Sequence, residues 1–309
     1  MESQPFAGFE DVREFASSLD AFVVQPLLHL PQDQDIYLRL SSFISTILQN
    51  LVEAPYNLKT TEELPAILAT ELGHVMRAMV RSFGRIKSAE RAFCVLADRP
   101  LGASLCQDHH VLELLIETIS GQNEDAAKAA LFAVCSMLHS PLTRDWFVDR
   151  LTKSAVLPKL LAVLEDYTSN PVWTSYNHAA LLALNWIGGS HVGSRFLIPH
   201  VPKLVRALAA EGETARVTLL LTAANLPAYM SEDELALESL RRQGLIEPLL
   251  PHARLKKVSA GSVGAIMGLL NLRAHLGEEA AFEMDEDMTV LLVDCLSHAL
   301  RSESQGNIL

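Results

Sequence analysis

One apolar phrase recurs along this 309-residue chain at a nearly fixed interval. It reads VLELLIET from 111, LPKLLAVL from 157, VPKLVRAL from 201 and IEPLLPHA from 246, so successive copies lie 46, 44 and 45 residues apart. Two earlier copies, LPAILATE from 64 and the looser VQPLLHLP from 24, extend the series to six units. A period of this length constrains the fold more than any single residue does. Each unit is too small to bury its own apolar face and must stack on its neighbours.

The units read as helices. Several copies of the phrase carry Pro near the start, where the first turn of a helix has no use for the missing N–H. A second apolar helix follows, and between the two lie helix breakers such as residues 121–123, 169–171 and 211–213. Leu and Ala dominate while aromatic residues make up only 6% of the chain, which disfavours a strand-rich core. An all-α chain is expected, with MTVLLVDCLSHALRSE at 288–303 left as a C-terminal capping helix.

In four units the second helix carries an asparagine late on its apolar face: STILQNLV, ALLALNWI, LLLTAANL and GAIMGLLNL place Asn50, Asn185, Asn225 and Asn271. Counting equivalently puts Ser88 and Cys135 in the other two units, a break in the series. The period, the Pro-led helix and the ALxxLxNL-like second helix resemble armadillo repeats over residues 24 to about 300. The resemblance implies a right-handed armadillo-like α-solenoid of about six repeats, starting near 24, 64, 111, 157, 201 and 246, in a single domain spanning 1–309.

In such a solenoid one helix of every unit lines a concave groove, and an amide at the same register of each forms a ladder. An amide offers donors and an acceptor that match the unpaired N–H and C=O of an extended chain. Catenins and importin alpha use this asparagine to hold a peptide backbone, and the resemblance implies the same for Asn50, Asn185, Asn225 and Asn271. The simpler reading is that each amide bonds a neighbouring helix.

Helical spacing sets i−7, i−4 and i+3 on the face of each Asn. The line comprises Phe43, Thr46 and Glu53; His178, Leu181 and Gly188; Thr218, Leu221 and Ala228; and Gly264, Met267 and Ala274. His178, Leu181, Leu221 and Met267 are the expected partner contacts between rungs. Importin alpha has Trp four residues before its Asn, where this chain has Thr46, Leu181, Leu221 and Met267, so importin-like cargo is not expected.

Charge adds two candidates. Arg77, Arg81 and Arg85 follow one another at four-residue spacing, with Lys87 and Arg91 beyond, in a chain whose net charge is −12. The stretch is either a solvated face or a contact for an acidic or phosphorylated segment. Glu278, Glu279, Glu283, Asp285, Glu286 and Asp287 form an acidic stretch, read as a solvated loop that could also steer a basic partner. The net charge disfavours nucleic acid as a partner.

Catalytic and metal motifs are weak. GGSHVGSR at 188–195 follows a helix and lacks the GK[ST] of a phosphate loop, and Ser262 in AGSVG starts a helix where a nucleophile elbow needs a strand before it. CQDHH at 106–110 offers Cys106, Asp108, His109 and His110 with no second ligand pair, and Asp108 reads as an N-cap for the next helix. No enzyme, cofactor or metal is expected. The four cysteines show no CxxC spacing, MESQPFAGFEDVREF has neither an apolar signal core nor the glycine that myristoylation needs, and no run of about 20 apolar residues exists. A reduced, cytoplasmic or nuclear setting and no membrane insertion are therefore expected. The functional expectation is a non-enzymatic adaptor or scaffold that binds a peptide or helix in its groove, with a chaperone or co-chaperone gripping a folded client, such as an ATPase domain, as the alternative.

Overall fold

The computed structural model describes residues 66–140, 143–169, 174–210, 213–254 and 260–277, with Glu286, 288–290 and Val293. Asn50 and its neighbours Phe43, Thr46 and Glu53, the repeat start near 24, most of the acidic stretch and most of the capping segment at 288–303 lie outside the described residues. Among the described residues there are fourteen α-helices and no strand. The chain divides into two compact units, Met1–Leu157 and Pro158–Leu309.

The first unit contains α1 (Ala66–Arg81), α2 (Lys87–Ala97), α3 (Pro100–Asp108), α4 (Val111–Ser120), α5 (Glu124–His139) and α6 (Arg144–Thr152). α4 packs on α5 and α1, and α2 packs on α5. Phe93, Leu101, Leu105, Leu112, Leu115, Leu131 and Phe147 are fully buried here. Each such side chain stabilises the fold by about 1.5–3 kcal/mol.

The second unit begins within α7 (Val156–Ser169) and continues with α8 (Ser175–Gly188), α9 (His191–Leu197), a 3₁₀ turn (Ile198–His200), α10 (Val201–Ala209), α11 (Glu213–Tyr229), α12 (Glu234–Arg242), α13 (Ile246–Ala253) and α14 (Ala260–Leu276). The recurring phrase opens α4, α7, α10 and α13. Each is followed by a long helix, and the long helices pack side by side, α8 on α11 and α11 on α14. α10 and α13 lie behind α11 and α14 respectively.

Local chemistry fixes the helix starts. Asn123 accepts from the Ala126 N–H, Thr174 from Asn177, Ser190 from Gly193 and Asp233 from Ala236, each satisfying one of the first-turn donors that a helix leaves unpaired. Pro100 and Pro202 occupy first-turn positions of α3 and α10. Asp108 is not the expected N-cap: it ends α3, and His110 precedes α4 in the left-handed region at φ 53°.

Two glycines let the short helices close on the helix before them. A β-carbon at Gly102 on α3 would overlap the Leu96 carbonyl oxygen, and one at Gly193 on α9 would overlap that of Ile187. The GGSHVGSR stretch is thus structural. Gly188 ends α8, Ser190 caps α9, and the Ser194 hydroxyl donates to the Gly188 carbonyl at 2.5 Å.

Candidate functional site

The long helices α8, α11 and α14 bring the described asparagines of the second unit onto adjacent elements. Asn185, Asn225 and Asn271 are each half-buried. Asn225 Nδ2 donates to Asn185 Oδ1 at 3.2 Å and to the Asn185 main-chain oxygen at 3.3 Å. Thr222 Oγ1 adds a third, longer contact to Asn185 Oδ1 at 3.5 Å.

This bonding orients both amides. Asn185 Oδ1 faces α11, so its Nδ2 points away, and one Nδ2 hydrogen of Asn225 is committed while its Oδ1 is not. Among the described residues, the pair therefore keeps both Asn185 donors and the Asn225 acceptor unengaged, a set complementary to one peptide unit. The pairing is not repeated between Asn225 and Asn271 among the described residues. α14 instead approaches α11 through small residues: a β-carbon at Gly264 would lie 3.0 Å from Leu221 Cδ2, and one at Gly268 would lie 3.0 Å from Ala224 Cα. Gly264 faces this seam and leaves the groove line expected for it.

The side chains flanking each rung differ between helices. On α11, Val217, Leu221, Asn225 and Ala228 share the accessible face, and on α14 the equivalent set is Val263, Met267, Asn271 and Ala274. Met267 is 49% exposed and Val217 41%. α8 is rolled relative to these. Leu181, expected in the groove, is 1% exposed and lines, with Leu184, Leu219 and Thr222, a cavity of about 10 Å³ that Leu164, Leu204 and His200 also line. Leu181 is therefore core, and so are Gly188 and Thr218. His178, Leu182 and Trp186 take the half-exposed positions on α8 instead. Burial, followed by the charge of Lys203, holds the His200 imidazole below its usual pKa.

The first unit carries a polar pair that residue counting missed. Cys135 is buried, and the adjacent Ser136 occupies the half-exposed position on α5, in line with Lys128, Phe132 and His139. Ser136 hydrogen-bonds Cys94 of α2, which offsets part of the rise that burial imposes on this thiol. One turn further on, His139 Nδ1 lies 2.5 Å from Asp98 Oδ1. A one-residue shift turns a helical side chain by about 100°, which is why Cys135 looked like the rung.

The arginine line does not form one face. α1 stops at Arg81 and the chain turns through Gly84 at φ 75°, whose N–H donates to Glu90 Oε1 at 3.0 Å, so Arg85 lies beyond the helix. Its guanidinium folds back to donate to the Arg81 carbonyl at 2.8 Å. Arg81 is exposed, while Arg77 is half-buried beside His109. His109 itself packs over Gly73, and its pKa is lowered by burial first, with His74, Arg77 and His110 adding to the effect against Asp108. Cys106 is buried, Ser262 is 1% exposed within α14, and no group of three His, Cys, Asp or Glu able to hold a metal occurs among the described residues. Among them, too, no helix is long and apolar enough to cross a membrane.

No family model matches the chain, and no curated protein resembles it in sequence. Solved structures do match its fold. A designed armadillo repeat protein aligns over 81% of this chain and 98% of its own at a TM-score of 0.59 and 17% identity. A second, in complex with the peptide (KR)4, aligns over 81% and 97% at 0.57 and 17% identity. An engineered protein aligns over 83% and 98% at 0.57 and 16% identity. At these identities the likeness is one of fold.

Proposed function

From an armadillo-like repeat fold, we propose that this chain is a protein-interaction module whose second unit binds an extended peptide along α8, α11 and α14. The observation that carries the reading is the bonded pair Asn185 and Asn225, whose bond to each other leaves the Asn185 Nδ2 donors and the Asn225 Oδ1 acceptor available on a partly exposed face. A peptide in extended form leaves its main-chain N–H and C=O unpaired, and amides of this kind satisfy them at a spacing a regular array can repeat. The designed armadillo protein seen with the peptide (KR)4 supports the same use of the fold. The module works by recognition, as an adaptor or scaffold, with no chemical step.

Hydrogen exchange on the full chain tests the reading, using a linear peptide selected from a random library for binding to it. Protection centred on α8, α11 and α14 supports a peptide held by the Asn-bearing helices. Protection confined to α9, α10, α12 and α13 contradicts it and favours a partner gripped from the other side, as a folded client would be.

A further inference from the structure

We infer that the peptide held by α11 and α14 is uncharged and aliphatic in its side chains, and not basic; the inference rests on the peptide reading above. The two helices present matching residue types at a constant offset of 46: Val217 with Val263, Leu221 with Met267, Asn225 with Asn271, and Ala228 with Ala274. None of the eight is charged. Val217 and Met267 leave 41% and 49% of their surface in water, and Ala228 and Ala274 are exposed beside them. Apolar surface kept exposed in register on neighbouring helices marks an interaction site, since folding alone gains nothing from it.

The chemistry of the strip selects its ligand. Two amides bind main chain and carry no preference among side chains, so selection falls to the apolar positions between them. An aliphatic side chain gains by covering Met267 and Val217. A Lys or Arg set there would lose water and find no carboxylate among these eight residues. Three carboxylates elsewhere in this unit are paired within the chain: Glu165 with Lys203 at 2.7 Å, Asp233 with Arg195 at 2.8 Å, and Glu238 with Arg241 and Arg242 at 2.6 and 2.7 Å. The net charge of −12 attracts cations at long range, but that attraction is screened beyond about 8–10 Å in physiological salt. It confers no preference at contact.

The test compares two fluorescein-labelled synthetic peptides, (Leu-Ser)5 and (Lys-Arg)4, by anisotropy with the full chain in about 0.3 M salt, which suppresses long-range attraction. Three proteins are used: wild type, the Val217→Glu/Met267→Glu double variant and Asn225→Ala, each checked for folding by circular dichroism. The expected result is that (Leu-Ser)5 binds wild type at least about tenfold more tightly than (Lys-Arg)4. The double variant reverses that order, and Asn225→Ala weakens (Leu-Ser)5. If (Lys-Arg)4 binds wild type as tightly as (Leu-Ser)5 or more so, and Asn225→Ala weakens it, the aliphatic preference is wrong while the peptide reading stands. If wild type binds neither peptide, or Asn225→Ala changes neither, both fail. Should the double variant not fold, the wild-type comparison alone decides.

Discussion

Asn225 on α11 donates from Nδ2 to both oxygens of Asn185 on α8, at 3.2 Å to the side chain and 3.3 Å to the main chain. The bond ties two neighbouring long helices together at the level of their rungs. It also makes Asn225 and Asn271 unequal, although they share a sequence register.

That inequality is measurable in stability. Asn225→Ala removes a half-buried bond and leaves the Asn185 side-chain oxygen with only the longer Thr222 contact, so it should cost about 1–1.5 kcal/mol in urea unfolding. Asn271→Ala, with no bond to Asn225, should stay within about 0.5 kcal/mol of wild type. Equal losses at the two positions would show that the bond does not hold the helices.

The glycines of the short helices give a sharper structural test. Gly102→Ala and Gly193→Ala each set a β-carbon into a main-chain carbonyl oxygen, of Leu96 and Ile187 respectively. Backbone cannot swing aside as a side chain can, so each should cost about 2 kcal/mol or more despite the better helix propensity of Ala. Thermal melts that leave either variant at the wild-type midpoint would place α3 or α9 wrongly.

Leu181 and Met267 occupy the same position relative to their asparagines but opposite environments, 1% and 49% exposed. Leu181→Ala should lose about 2–5 kcal/mol through the lost burial and the cavity left behind. Met267→Ala should lose about 0.5 kcal/mol or less while weakening peptide binding. A comparable loss of stability in both would return Leu181 and Met267 to equivalent roles.

Acid should weaken the fold. Burial is the first cause holding His109, His200 and His252 below the usual histidine value. A group whose pKa is lower folded than unfolded contributes fully above its unfolded value, about 6.5 for His, and that contribution is lost as the pH falls through the folded value. Glu165, Asp233 and Glu238 behave likewise at lower pH, with Glu238 held down to about 2 by its arginines. The urea midpoint should therefore drop between pH 7.5 and 5.5, and His200→Gln should shallow that drop. A midpoint that rises on acidification contradicts the burial of these imidazoles.

The helical repeat was legible because a phrase such as VPKLVRAL encodes one buried face at a fixed period, and helices begin at Val111, Val156, Val201 and Ile246 accordingly. The roll of each long helix was not legible. On α8 the neighbouring Leu219 and Thr222 draw Leu181 inward, turning Leu182 and Trp186 outward, a choice made by packing across helices about forty residues apart. The same roll separates Cys135 from Ser136 on α5. The pairing of Asp98 with His139 joins residues 41 apart, and neither stands in a motif. Arg85 left its expected line because α1 stops at Arg81 and the chain turns through Gly84 in the left-handed region. That glycine was the signal available in the sequence.

On the proposed function, Asn185, Asn225 and Asn271 read a peptide's main chain. The decisive measurement is isothermal titration of a library-selected linear peptide into wild type and into the folded Asn185→Ala/Asn225→Ala/Asn271→Ala variant. Loss of three sets of main-chain bonds should raise Kd by at least about tenfold, since a single bond contributes roughly 0.5–1.5 kcal/mol. An unchanged Kd for the triple variant would show that these asparagines do not hold the peptide's main chain.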